Sequence, residues 1–118
     1  MIRGMHGMFY TSEPDALRAF FRDKLGFLAH DVGRGWLIFD MKEADLGCHP
    51  ADAEHGAPSG TPSVSFYCDD IHKTVVELKG KGVEFVDEVA NHGYGLVTHF
   101  KAPGAFNIQL YQPLYKKG

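Results

Sequence analysis

The sequence predicts an α+β fold in which one βαβββ unit is built twice. Three observations carry this. The same order of elements recurs in both halves, a Phe-Tyr pair opens each half (Phe9 and Tyr10, then Phe66 and Tyr67), and a proline closes each (Pro50 and Pro113). Module one then occupies 1–50 and module two 63–118, and the Gly-, Pro- and Ala-containing stretch 51–62 links them within a single domain, 1–118.

In module one, HGMFY (6–10) reads as a short strand. Ser12 or Glu13 can start a helix with Pro14 in its first turn, where the missing N–H costs nothing. Leu17, Phe20, Phe21 and Leu25 recur at helical spacing and should face a core, and Gly26 stops the helix. Strand patterns follow at 27–32, 35–41 and 45–50. Module two repeats the plan. SVSFYC (63–68) is its first strand, Asp69 and Asp70 supply the helix cap, and Val75, Val76 and Leu78 form the apolar stripe. Gly80 and Gly82 end that helix, and strands are expected at 83–88, 95–101 and 107–113.

A chain of 118 residues with 44% hydrophobic and 13% aromatic content can bury one genuine core. With a net charge of -3 and no basic run longer than the pair Lys116 and Lys117, it lacks the electrostatic footprint of a nucleic-acid binder. No apolar run approaches the roughly 20 residues needed to cross a bilayer, and MIRGMHGMF is no signal peptide, so a cytoplasmic protein is expected. Cys48 and Cys68 sit in apolar, strand-like stretches and read as small buried hydrophobes, with no CxxC spacing for zinc or redox work. His30, His55, His72 and His92, with the linker acids Asp52 and Glu54, read as solvent-facing, and Asp87 and Glu88 as the edge of a loop.

Strand side chains alternate, so one assignment fixes the rest of a strand. If Phe9, Phe66, Cys68, Ile108 and Leu110 pack under the helices, with Leu46 and Cys48 in the matching places of module one, the other face collects His6, Tyr10, His49, Ser63, Tyr67, His99, Gln109 and Tyr111. Aromatic area combined with hydrogen-bonding tips suits a small-molecule pocket, whereas a solvated sheet face would carry more Lys, Glu and Thr. Neither cysteine has a matched activating base, and no GxSxG, HExxH, Walker or GxGxxG pattern occurs.

The opening HGMFYTSEPDALRAFFRDKLGF, the central SFYCDDIHKTVVELKGKGVEF and the closing GYGLVTHFKAPGAFNIQLYQP resemble, in order and spacing, the vicinal oxygen chelate superfamily of glyoxalases, bleomycin-resistance proteins and extradiol dioxygenases. The resemblance spans essentially the whole chain. It implies paired βαβββ modules whose mixed sheet curves into a cup with helices outside. It also implies a divalent metal (Zn, Fe, Mn or Ni) in the metal-dependent members, and a homodimer. Carried over position by position, the metal ligands of such members fall on His6, Gly47, Ser63 and Gln109. Only His6 is a strong donor. Ser63 replaces a histidine, Gln109 replaces a glutamate, and Gly47 offers no side chain, although His49 and His99 could complete a set with His6 and Gln109.

The expected protein therefore needs no cofactor and binds a small planar or aromatic ligand in the cup through Tyr10, Ser63, Tyr67, His99 and Tyr111. Two other readings remain open: a lyase or dioxygenase-like enzyme with His6, His49 and Gln109 as metal ligands, and a structural subunit that uses the cup face as an interface.

Overall fold

Residues 1, 6–48, 50, 51 and 57–116 are described by the structure, a computed structural model. Helix α1 (Pro14–Ala19) begins with proline in its first turn and runs directly into a π-helical turn, Phe20–Lys24. Gly26, at φ +74°, ends it in the left-handed conformation that a side chain would resist. Strands β1 (Ala29–Asp31) and β2 (Leu37–Phe39) form an antiparallel pair. Then come β3 (Ser65–Tyr67), helix α2 (Ile71–Gly80), β4 (Ala90–Asn91), β5 (Gly95–Ala102) and β6 (Phe106–Pro113). These last four strands make one mixed sheet in the order β3-β6-β5-β4, with β3 parallel to β6 and the other pairs antiparallel.

The core lies on one face of that sheet. Phe100, Ala102, Ile108 and Leu110 point from β5 and β6 toward Leu17, Phe20 and Phe21 of the first helical segment and Ile71 of α2. Phe20 stacks on Phe100 at 6.0 Å, and Phe21 meets Phe9, Phe27, Phe39 and Phe66 at 5.6–5.9 Å. The helical spacing of 17, 20 and 21 thus buries the face that the sequence assigned to the core. Cap chemistry divides between the modules. The Asp70 carboxylate accepts the Lys73 N–H at the start of α2. At α1 the Thr11 hydroxyl accepts the Glu13 N–H, while the Glu13 carboxylate reaches across to the Gly104 N–H at the tip of the β5–β6 hairpin.

Several expected features differ. The stretch 6–10 joins no strand ladder; Phe9 nevertheless packs against Phe66 and Phe106 at 6.4 and 5.7 Å, so its apolar contact survives without the hydrogen bonds. Residues 45–48 are likewise outside any strand, Leu46 is 82% exposed, and Cys48 is exposed rather than buried. Gly47 and Pro50 explain this, since one adds backbone entropy and the other removes a ladder donor. Val76 is exposed too, because a helix turns about 100° per residue and Val75 already faces the core.

The strand expected at 83–88 contracts to a single bridge, Phe85 to Phe100. Four residues, 86–89, then stand opposite Thr98 and His99 before Ala90 pairs with Val97, which makes a bulge. Its cause is Asp87, whose side chain accepts the His99 N–H at 2.8 Å that a regular ladder would have given to a backbone carbonyl. Among the described residues, no helix is long and apolar enough to cross a membrane.

Candidate functional site

The face of the four-stranded sheet opposite the core is set by the register of its strands. Ser65 lies beside Gln109, Tyr67 beside Tyr111, His99 beside Gln109 and Val97 beside Tyr111. Tyr67, His99, Gln109 and Tyr111 therefore come together from three strands, and the alternation that buries Phe66, Leu110, Ile108 and Phe100 on one side leaves them on the other.

Four of the chain's five tyrosines meet at this face. The Tyr111 ring is 6.0 Å from both Tyr67 and Tyr94, and Tyr94 packs edge-on to His92 at 6.2 Å. These are tilted and edge-to-face distances at which the ring quadrupoles attract. The Tyr115 hydroxyl donates to Asp45 Oδ2 at 3.3 Å, and since a phenol has one proton, Tyr111 donates to Tyr115 at 3.0 Å. This chain of hydrogen bonds ties β6 and the segment after it to the module-one loop. A cleft of about 500 Å³ opens there, lined by Lys42, Glu43, Ala44, Asp45, Tyr67 and Tyr115, with Lys116 at its rim. Close approach at Gly95 holds the arrangement, since a Cβ there would stand 3.2 Å from the Tyr111 ring and 2.8 Å from the Gln112 carbonyl.

Polar groups flank the rings. The Gln109 amide donates to the Tyr94 hydroxyl over a long 3.5 Å. The Asp87 carboxylate accepts from the Thr98 hydroxyl at 2.8 Å, from the His99 N–H at 2.8 Å and from His99 Nδ1 at 2.7 Å. Desolvation alone would raise the Asp87 pKa, but the hydrogen bonds from the His99 ring, the Thr98 hydroxyl and the His99 N–H outweigh it and hold the carboxyl below its ordinary range. Thr98 is fully buried in the sheet and finds its partner in Asp87. The half-buried Cys68 thiol is pushed up by burial and donates weakly to the Tyr111 carbonyl at 3.8 Å, which leaves it a packing residue rather than a nucleophile.

The remaining candidate residues stand apart from this cluster. Tyr10 is 94% exposed, and His6, Gly47 and Ser63 are exposed in segments outside the strands. His49, Asp52, Glu54 and His55 lie outside the described residues. The four positions carried over from metal-dependent relatives offer one imidazole, one neutral hydroxyl and one amide, and among the described residues no three His, Cys, Asp or Glu side chains gather to hold a metal. That donor set lacks the charge and number that a divalent ion requires. Sequence reading missed Tyr94, Tyr115 and Asp45, and it took Asp87 for a loop edge. Tyr94 sits in a Gly-flanked turn and Asp45 far away in sequence, so no local period marks either.

The family profile described as Glyoxalase/Bleomycin resistance protein/Dioxygenase superfamily matches residues 5–110. An uncharacterized protein, YetH of Bacillus subtilis (strain 168), is 30% identical over 99 residues, which cover 78% of this chain and 82% of that protein. Among solved structures, TnmS3, an antibiotic binding protein from Streptomyces sp. CB03234, superposes with a TM-score of 0.62 at 23% identity, covering 87% of this chain and 88% of the other. A glyoxalase/bleomycin resistance protein/dioxygenase from Nocardioides does so with a TM-score of 0.57 at 20% identity, covering 92% of this chain and 84% of that one.

Proposed function

This chain belongs to the Glyoxalase/Bleomycin resistance protein/Dioxygenase superfamily, and from that premise we propose that it binds a small planar or aromatic organic molecule against the tyrosine-bearing face of its four-stranded sheet. The observation that carries this reading is the convergence of Tyr67, Tyr94, Tyr111 and Tyr115 at one sheet face that also bears Gln109 and His99, with Tyr67 and Tyr115 lining the adjoining cleft. Rings give a flat ligand stacking area at little entropy cost, and hydroxyl, amide and imidazole tips fix its orientation. A sequestering role is in keeping with the shared fold of TnmS3, an antibiotic binding protein.

A panel of planar aromatic compounds screened by thermal shift tests it. A ligand at 100 times its Kd adds about 2.7 kcal/mol of stability, a readily measured rise in Tm. Tyr94→Ala, at a half-exposed position, is expected to keep the fold and lose most of that rise. A panel without any hit, or an unchanged response in Tyr94→Ala, overturns the reading.

We further propose that binding works without a divalent metal, because His6, Ser63 and Gln109 make a neutral and incomplete donor set. Metal analysis of protein purified without a histidine tag checks this, with His6→Ala as control. Stoichiometric metal in the wild type that is lost in the variant would favour a lyase or dioxygenase-like enzyme instead. Two copies are expected to pair, and Tyr10, Leu28 and Leu46 of module one are exposed apolar side chains that pairing would cover. The reading is that of a cytoplasmic protein, in keeping with its moderate charge.

A further inference from the structure

Asp87 fixes the His99 ring from the 86–89 bulge, which flanks β5 on the edge opposite β6. An ionised carboxylate only accepts, so the 2.7 Å contact puts a ring hydrogen on Nδ1, and in the neutral imidazole the lone pair then sits on Nε2, at the other end of the ring. The same carboxylate accepts the N–H of His99 and the hydroxyl of Thr98, so it is anchored at three points and cannot swing away without opening the bulge. The His99 side chain keeps 34% of its surface exposed and lies directly across from Gln109, on the face that carries Tyr111. A base with a fixed tautomer beside a set of stacking rings is more than packing requires.

We propose that His99 is the polar anchor of the ligand site and accepts the proton of an ionisable ring hydroxyl, so that the protein prefers a phenol or enol and holds it as the oxyanion. The inference rests on the tyrosine face being the ligand site. In this step the ligand O–H bond breaks, its electron pair stays on oxygen, and the proton forms a new bond to Nε2. The resulting imidazolium lies against the Asp87 carboxylate, and the Gln109 amide on the neighbouring strand offers the oxyanion a further donor. Asp87 acts through His99 and is a positioning residue. The other ionisable groups around His99 are Lys101 on its own strand, held by Glu84 at 3.1 Å, Tyr94 at the turn before β5, and Tyr111 on β6. None of them replaces Asp87 at Nδ1.

The test uses 7-hydroxycoumarin, whose phenolate absorbs at longer wavelength than its phenol, and 7-methoxycoumarin, which has no proton to give. At a pH where the free hydroxyl probe is neutral, the wild type is expected to bind it roughly tenfold more tightly than the methyl ether, as a charge-assisted hydrogen bond implies. The bound probe should display the phenolate band. His99→Gln should remove both the preference and the band, so that the two probes bind with equal affinity. Asp87→Asn should likewise lose the band but keep 7-methoxycoumarin binding, a separation that general loss of structure would not produce. Equal affinity for the two probes without a phenolate band, or a preference that survives His99→Gln, overturns the inference and leaves the proposed function standing. Failure to bind either probe overturns the inference, while the proposed function is decided by the wider panel.

Discussion

Asp87 does three jobs with one carboxylate: it receives a strand N–H, satisfies a buried hydroxyl and orients an imidazole. Because these bonds favour the ionised form, its pKa in the folded protein lies below the unfolded value. The sign follows from linkage. The stabilisation is fully present above the unfolded carboxylate pKa of about 3.9 and is lost as pH falls through the depressed folded value. Asp87→Asn has no such proton to take up. Melting temperatures followed from about pH 6 to pH 2 should therefore show wild type above the variant at the upper end, with the two curves converging toward acid. Curves that stay parallel would mean that the carboxylate charge is irrelevant to the bulge. Sequence patterning could not reveal this residue. Asp87 lies in a stretch whose apolar alternation reads as strand, and its partner His99 is brought beside it only by the folding-back of the chain. Tyr67, Gln109 and Tyr111, in contrast, could be assigned to one face from alternation alone, because each lies in a strand whose core side is marked by Phe66, Ile108 or Leu110.

Among the elements, the β5–β6 hairpin positions most of the site and also locks the two halves together. Its tip carries Gly104 at φ +104° and Ala105 at φ +62°. The Thr11 hydroxyl donates to the Pro103 carbonyl at 3.1 Å, and the Gly104 N–H donates to Glu13 at 3.0 Å, so the turn is clasped to the entry of α1. A methyl group on Gly104 would collide with the Thr11 hydroxyl and would strain a backbone that L side chains avoid. Gly104→Ala is expected to destabilise the protein by about 1–3 kcal/mol, read as a lower urea midpoint with little change in slope. An unaltered midpoint would mean that the clasp contributes nothing. Both helices and the strands β5 and β6 were legible because their apolar periods are long and glycine or proline marks their ends. The first strand of module one and the stretch 45–48 were not. A short run can alternate correctly and still find no partner edge, and Gly47 and Pro50 tip that balance toward loop.

Across the whole molecule, the two halves are unequal in packing. Module two contributes the four-stranded sheet, whereas module one contributes a helical segment and a two-stranded ribbon, with Leu28 before the ribbon and Leu46 after it at 80% and 82% exposure. Apolar side chains of that size stand in solvent at a cost, which burial against a second copy would relieve. Sedimentation velocity is expected to give a dimer at micromolar concentration, and Leu28→Asp with Leu46→Asp should shift it to monomer; a wild-type monomer at those concentrations would refute the pairing. The position of β6 has a consequence for how the protein is made. It is the last strand in sequence yet lies between β3 and β5, with β3 joined to it in parallel across more than 40 residues. During synthesis, a nascent chain stalled before residue 106 would present the apolar faces of both helices with no completed sheet to receive them. The longest exposure to chaperones and proteases on the ribosome should therefore end only when the strand bearing Gln109 and Tyr111 emerges.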